Sequence, residues 1–418
     1  MSEHKKSPLV PRLRFPEFRD KGEWEVKQLA KICDLNPSGS RLPEVFYYID
    51  LESVESGELK ARKMIHREEA PSRAQRILKT GDVIYQIVRP YQRNNYFFKI
   101  EDGNHYVAST GYAQLRAFES EVFLFQLIHT DDFVERVIAK CTGSNYPAIN
   151  SSDLAEIPVV VPQPEEQQKI ADCLFSIDEL ITFEAQKLNT LKSHKKGLMQ
   201  QLFPCEGEIL PRLRFPEFRN TVEWLSAPLG ELAELKNGYA FKSVSYNDSG
   251  SYEIVTISNV QQGELVNNGI KRRIERIPSD LQPHHILRTG DTLISMTGNV
   301  GRVCRVKSEG MLLNQRVGKL VPKRISSDYL YYFMQRTEFR EIMQLKAAGG
   351  AQGNLSTDDI LSYRLHYPDN LSEQGKIADC LSSLDDLIAA HNQKVEALRR
   401  YKKGLMQQLF PVLDEASA

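Results

Sequence analysis

The chain has 418 residues, a length at which two domains of ordinary size are expected, each able to bury a full core. Lysine and arginine number 54 against 55 aspartate and glutamate, so the net charge of −1 gives no global sign of a nucleic-acid partner. No apolar run is long enough to span a bilayer, the opening MSEHKKSPLV lacks the apolar core of a signal peptide, and the six scattered cysteines form no C-x-x-C or C-x-x-H pair, which argues against a zinc site or disulfide framework and fits a cytoplasmic address.

The first pattern along the chain is PRLRFPEFR at 11–19, followed by Glu23-Trp24. A body of short β-like runs comes next: VFYYI (45–49), DVIYQIV (82–88, entered through TGD at 80–82) and NYFFKI (95–100). One helical stretch is predicted over 120–141, then a loop, TGSNYPAINSSD (142–153), then a strand, EIPVVV (156–161). A proline-marked joint, VVVPQPEEQ, leads into a long segment with apolar residues at alternating steps of four and three: Ile170, Leu174, Ile177, Ile181, Leu188, Leu191, Leu198 and Leu202. Pro204 ends it.

The chain then starts again. PRLRFPEFR returns letter for letter at 211–219, followed by Glu223-Trp224. A second body carries YEIVTI (252–257), TGD (289–291) before TLISM, GRVCRV (301–306), VGKLV (317–321), one predicted helical stretch over 327–348 and the loop GGAQGNLSTDD (349–359). The joint LHYPDNLSEQ opens a second long segment with the same rhythm, through Ile377, Leu381, Leu384, Ile388, Val395, Leu398, Leu405 and Leu409. EQQKIADCLFSIDELI (166–181) and EQGKIADCLSSLDDLI (373–388) agree in about three quarters of their letters, and GLMQQLFP occurs at 197–204 and 404–411. Such a long-period repeat organises the chain. The repeated parts must do one job twice, and the dissimilar bodies must do two different jobs.

The fold class read from this is α/β (mixed α+β): two globular bodies and two long helices with matching seams. The expected boundaries are 1–164, 165–204, 205–371, 372–411 and a tail at 412–418. Each helix has about 39 residues and is roughly 58 Å long at 1.5 Å per residue. The short joint after helix one favours an antiparallel coiled coil with a pseudo-twofold axis and a body at each end. The polar seam positions Glu184, Lys195, His391 and Lys402 would set its register.

Basic residues cluster in the bodies, and the loops there are rich in side chains suited to base edges. Arginine matches guanine in bidentate geometry, asparagine and glutamine match adenine, and lysine and arginine neutralise phosphates. The candidate DNA contacts of the first body are Arg89, Tyr91, Gln92, Arg93, Asn94, Asn95, Ser144, Asn145 and Tyr146. Those of the second are Arg272, Arg273, Thr297, Asn299, Arg302, Gln315, Arg316, Gln352 and Asn354. No catalytic motif stands beside them: there is no P-loop, H-E-x-x-H, G-x-S-x-G or supported PD…E-x-K pattern. His284-His285 lacks further ligands nearby in sequence. The alternatives are a coiled-coil scaffold whose bodies grip proteins and a self-sufficient nuclease.

The doubled PRLRFPEF, TGD before a strand, NGYAFKS (237–243), YPAINSSDLAEIPVVVPQPEEQQKIADCL (146–174), NLSTDDILSYRLHYPDNLSEQGKIADCL (354–381) and the doubled KKGLMQQLFP resemble the specificity subunit of type I restriction–modification systems over essentially the whole chain. The resemblance implies two target-recognition domains, each reading one half of a split asymmetric DNA site. It implies helices that form the spacer and bind two methyltransferase (modification) subunits, with restriction subunits completing an ATP-dependent endonuclease. On this reading the chain is not itself an enzyme, and S-adenosylmethionine, ATP and Mg belong to the partners. The second loop departs from the first, since YPAIN (146–150) is matched by AQGNL (351–355).

Overall fold

The computed structural model describes residues 9–39, 41–55, 57–143, 146–266, 272–349 and 353–413. They form two compact units, and the division falls inside the two long helices. Unit one is Met1–Ala185 with Gln393–Ala418, and unit two is Gln186–Asn392.

In unit one the chain order is β1 (Glu25–Gln28), β2 (Cys33–Leu35), β3 (Val45–Ile49), β4 (Val54–Glu55), β5 (Glu58–Leu59), β6 (Lys63–His66), β7 (Ala74–Ile77), β8 (Val83–Gln86), β9 (Tyr96–Phe97), β10 (Tyr106–Ser109), β11 (Tyr112–Ala117), α1 (Glu121–Leu127), α2 (Asp131–Ala139), α3 (Ser151–Ala155), β12 (Pro158–Val161) and the first part of α4 (Pro164–Leu202). One antiparallel sheet runs β2-β11-β8-β9, and a second runs β6-β3-β10-β7 with β3 and β10 parallel. β1 pairs with β12.

Unit two repeats the plan with β13 (Leu225–Pro228), α5 (Leu229–Leu232), β14 (Ala233–Asn237), β15 (Tyr252–Val255), β16 (Val260–Gln261), β17 (Glu264–Leu265), β18 (Arg273–Ile274), β19 (Thr292–Ser295), β20 (Val303–Arg305), β21 (Leu312–Leu313), β22 (Val317–Pro322), α6 (Ser327–Met334), α7 (Thr337–Gly349), α8 (Thr357–Leu361), β23 (Arg364–Tyr367) and the first part of α9 (Leu371–Leu409). Its sheets are β14-β22-β19-β20 and β18-β15-β21, and β13 pairs with β23.

The helical stretches expected as single helices over 120–141 and 327–348 are each two helices. In unit one the Thr130 hydroxyl accepts from the Phe133 amide at 3.3 Å and starts a new helix, as a side-chain cap does. In unit two the break holds Arg336, whose buried guanidinium donates to the Pro204 carbonyl at 2.8 Å.

TGD is a structural device. Gly81 and Gly290 take φ of +92° and +91°, a backbone region suited to glycine. The aspartate after each closes the turn: Asp82 accepts from the Lys79 amide and Asp291 from the Arg288 amide. Both also neutralise a cation on the adjacent strand, Arg116 at 2.8 Å and Lys319 at 2.6 Å. NGYAFKS rests on another close approach. A Cβ on Gly238 would lie 2.1 Å from the Asn314 carbonyl oxygen. Gly238→Ala must push two backbone segments apart, so a loss of about 1–3 kcal/mol is expected in chemical denaturation of the full chain. A loss under half a kcal/mol would show that the segments separate freely.

The doubled sequence motifs meet each other. Arg14 of the first PRLRFPEF holds Glu166 of α4 through two bonds of 2.8 and 2.7 Å, with side chains 6% and 2% exposed. Arg214 holds Glu373 of α9 in the same way, at 2.7 and 2.8 Å. The next residue of each EQ pair closes the preceding proline turn: Gln167 donates to the Pro162 carbonyl, Gln374 to that of Pro368. The opening motif also joins the C-terminal end of a long helix. The Leu13 amide donates to the Gln408 carbonyl, and the Leu213 amide to that of Gln201.

Inside each unit the two helix segments face each other. Unit one pairs Lys402 with Asp178 at 2.7 Å and Lys394 with Glu184 at 2.5 Å; partner numbers fall as residue numbers rise, so these segments are antiparallel. Ile170, Ala171 and Leu174 share a core with Leu409, Phe410 and Leu413. Unit two pairs Lys195 with Asp385 at 2.6 Å and packs Leu202 with Ile377, Ala378 and Leu381. None of the sixteen apolar seam positions named from the sequence is exposed.

Candidate nucleic-acid interface

In unit one, buried β8 ends at Gln86, and the chain then rises into RPYQRNN. The loop before α3 lies against it. The Arg89 amide donates to the Pro147 carbonyl at 2.8 Å, and the Ile149 amide donates to that of Ile87 at 3.0 Å. Arg89 and Arg93 both take φ of +55°, a left-handed backbone that side-chain-bearing residues seldom adopt. They flank the single turn Pro90–Gln92. Such strain persists only where surroundings hold it, and here they are explicit. The Gln86 amide group donates to Gln92 Oε1 at 2.9 Å and its oxygen accepts from the Asn94 amide at 3.2 Å. Buried Asn95 accepts from the Gln86 backbone amide at 2.9 Å.

This sorts the candidates. Arg93 turns to the body, donating to Asp131 at 2.7 Å and to the His129 carbonyl at 3.1 Å. Gln92, Asn94 and Asn95 anchor the loop. The outward groups are Tyr91 and Tyr146, 50% and 65% exposed, with the Arg89 guanidinium 4.2 Å from the Tyr146 ring centroid. A planar cation stacked on an exposed aromatic offers hydrogen-bond donors and a π-face together. Ser144 and Asn145 lie outside the described residues.

Unit two builds the corresponding loop cluster from other residues. The loop after β19 meets the loop before α8 through the Leu355 amide, which donates to the Met296 carbonyl at 2.8 Å, and meets the turn before β22 through the Met296 amide, which donates to the Arg316 carbonyl at 3.1 Å. Thr297, Asn299, Arg316 and Asn354 therefore border one cluster, with Gln315 exposed beside Arg316. Glycines at 298 and 301, at φ of +66° and +74°, make the turns that arginines make in unit one. Arg302 donates to Gln261 Oε1. Arg273 of β18, on the other sheet, pairs with Glu253 at 3.4 Å, and exposed Arg272, just before that strand, sits 5.4 Å from the Tyr246 ring. Gln352 lies outside the described residues.

Sequence reading missed the groups beneath these loops. Gln86 sits within a buried apolar strand, and a lone amide there is the signal that could have found it. His129 gave no signal. Its Nδ1 bonds the Phe125 carbonyl at 2.7 Å, and its Nε2 lies 3.3 Å from the Asn95 amide nitrogen. Nε2 accepts from that amide, so the neutral ring carries its proton on Nδ1. Burial lowers its pKa to about 4; the Phe125 carbonyl and Asp178 oppose this, and Lys402 and Arg93 add to it. The unfolded histidine titrates near 6.5. Between these values the unfolded state binds more protons, so stability falls as pH drops from about 6.5 to about 4. The residue keeps some accessible surface, so the expected loss is about 2 kcal/mol over that window. His129→Asn should flatten this part of the pH–stability curve; an unchanged slope would remove His129 as its source.

No helix of the described residues is long and apolar enough to cross a membrane. A family model described as "Type I restriction modification DNA specificity domain" matches residues 21–193 and again 221–400. Among curated proteins, the chain is 25% identical to the type I restriction enzyme MjaVIII specificity subunit of Methanocaldococcus jannaschii over 64% of each chain. It is 26% identical to the HindI specificity subunit of Haemophilus influenzae over 43% of this chain and 41% of that one. The chain thus spans less than two thirds of these relatives' lengths. Two solved structures share the fold. The type I restriction–modification system S subunit from M. genitalium aligns at a TM-score of 0.59 with 15% identity, over 96% of this chain and 99% of that one. A chain from a structure of the type I R-M system aligns at 0.55 with 21% identity, over 93% and 97%. Two matches to one domain, centred on two like frameworks with unlike loop clusters, lead to one conclusion: this chain belongs to the family of type I restriction–modification specificity subunits.

Proposed function

We propose that the chain is the non-catalytic DNA sequence-specificity subunit of a type I restriction–modification complex in the cytoplasm. Each unit's body reads one half of a split, asymmetric site in double-stranded DNA. The long helices pair as an antiparallel coiled coil that serves as spacer and docks two methyltransferase subunits. The assembly directs adenine methylation and, with restriction subunits, ATP-dependent cleavage. S-adenosylmethionine, ATP and Mg are assigned to the partner subunits.

The observation that carries this reading is the contrast inside the repeat. The Arg14–Glu166 and Arg214–Glu373 clamps are alike, while the loop clusters they support differ: Arg–Tyr in one, Thr–Gly–Asn in the other. One scaffold with two unlike reading surfaces suits an asymmetric site. Binding of the full chain with its methyltransferase to duplex DNA should weaken steeply with salt, because phosphate contacts release counterions. Salt-independent capture of the methyltransferase without DNA binding would favour the scaffold reading instead.

A further inference from the structure

One of the differences between the two repeats lies where the second body helix starts against the end of a long helix. In unit one, Asp131 opens α2; it is paired with Arg93 and also faces Lys403 and Gln407 of α9. KKGLMQQ at 402–408 corresponds to KKGLMQQ at 195–201, so Lys196 and Gln200 occupy the places of Lys403 and Gln407. Opposite them in unit two, the first residue of α7 is Thr337. The acid is gone and the lysine remains.

What results is a cavity of about 160 Å³ lined by Lys192, Lys195, Lys196, Gln335, Arg336 and Thr337, together with Met199, Gln200 and Glu338. Lys195 is taken by Asp385 and Arg336 by Glu338. Lys192 and Lys196 have no acidic partner among the described residues and are exposed. The Gln335 amide nitrogen is buried, lies beside the Tyr331 hydroxyl and has no well-aligned hydrogen-bond acceptor among the described residues. The α7 N-terminus adds unpaired backbone donors and a favourable dipole. At roughly 30 Å³ per water the space suits a group of about five heavy atoms.

We propose that this cavity is a phosphate-group site, filled in the bound state by a phosphate of the DNA backbone. The DNA source rests on the function proposed above. It is favoured by position: the Gln262 side chain donates to the Gln335 carbonyl at 2.8 Å, and neighbouring Gln261 receives Arg302, so the cavity borders the reading loop of unit two. Unit one has the same frame but fills the place with its own carboxylate. The charge on the two repeats is thus unequal, and unit two grips one more phosphate than unit one.

Thr337→Asp gives unit two the unit-one arrangement, and an acid at a helix start favours the fold. Lys196→Gln removes the cation from an exposed position. Binding of random-sequence duplex is measured across salt concentrations for the full chain and both variants, beside titration with inorganic phosphate followed by NMR. The expected result is a log K against log salt slope shallower by about 0.9, one phosphate, in each variant. Unchanged slopes with phosphate binding lost in Thr337→Asp would keep the site and assign it to free phosphate. Equal slopes and equal phosphate titrations in all three proteins would overturn the proposal. A wild-type chain that shows no salt-dependent duplex binding would count against the proposed function, and the phosphate titration would then decide the cavity by itself.

Discussion

Arg14→Ala is expected to destabilise unit one by about 3–5 kcal/mol, and Arg214→Ala to do the same to unit two. Each substitution strands a carboxylate that is 1–2% exposed and loses both of its arginine bonds. Stability is a few to fifteen kcal/mol for a typical domain, so either change consumes much of it. The clamp also ties the body to the helix. With Arg14 gone, the Trp24 ring, packed against Phe123 and Phe410, loses the segment that positions it. Hydrogen exchange resolved along the chain is the suitable measurement, because it separates the units. Protection should fall throughout unit one in Arg14→Ala and throughout unit two in Arg214→Ala. Replacing both partners by apolar residues, Arg14→Met with Glu166→Leu, should recover most of the loss, since a buried pair is costly to break but cheap to remove whole. A loss below about 1 kcal/mol in both single variants would show that water reaches the carboxylate and that the clamp is ornamental.

Removing the Arg89–Tyr146 stack should cost the first half-site and spare the second. Arg89→Ala is expected to weaken cognate binding by about 1–3 kcal/mol, roughly 5- to 150-fold, if the guanidinium reaches a base edge. Tyr146→Ala should cost a comparable amount through lost stacking. The two should be less than additive, because the ring holds the guanidinium at 4.2 Å. The sequence points equally to Arg93, but its guanidinium is held by Asp131 and the His129 carbonyl. Arg93→Ala should therefore act by loosening the loop, and Asp131→Asn should imitate it. Methylation rates on duplexes altered in one half or the other provide the readout. Equal losses on both halves from Arg89→Ala would remove it from the reading surface.

The repeat, the long helices and the position of the loops were legible because each rests on local pattern. Heptad steps show burial without knowledge of the partner, and Pro164, Pro204 and Pro411 mark the helix bounds. VFYYI matches β3 residue for residue. The central strand β11, YAQLRA, was not seen, because Gln114 and Arg116 interrupt its apolar run; both are satisfied by Asp82, a long-range partner. The helix breaks at Thr130 and Arg336 were hidden by continuous helical periodicity. The role of PRLRFPEF was invisible for a similar reason. Nothing in its letters says that Arg14 meets a glutamate 152 residues away. Among the loop candidates, residue type alone could not separate outward Arg89 from inward Arg93, which share one backbone conformation and differ only in what lies within reach.

Adenine-methylation mapping by single-molecule sequencing tests the central claim most directly. The intact chain would be co-expressed with its methyltransferase subunit, and then a chain with residues 211–366 exchanged for those of another family member. The account predicts a split motif in the first case and, in the second, the same motif with one half changed and the other retained. A motif that changes in both halves, or an active methyltransferase that yields no split motif with the intact chain, would contradict it.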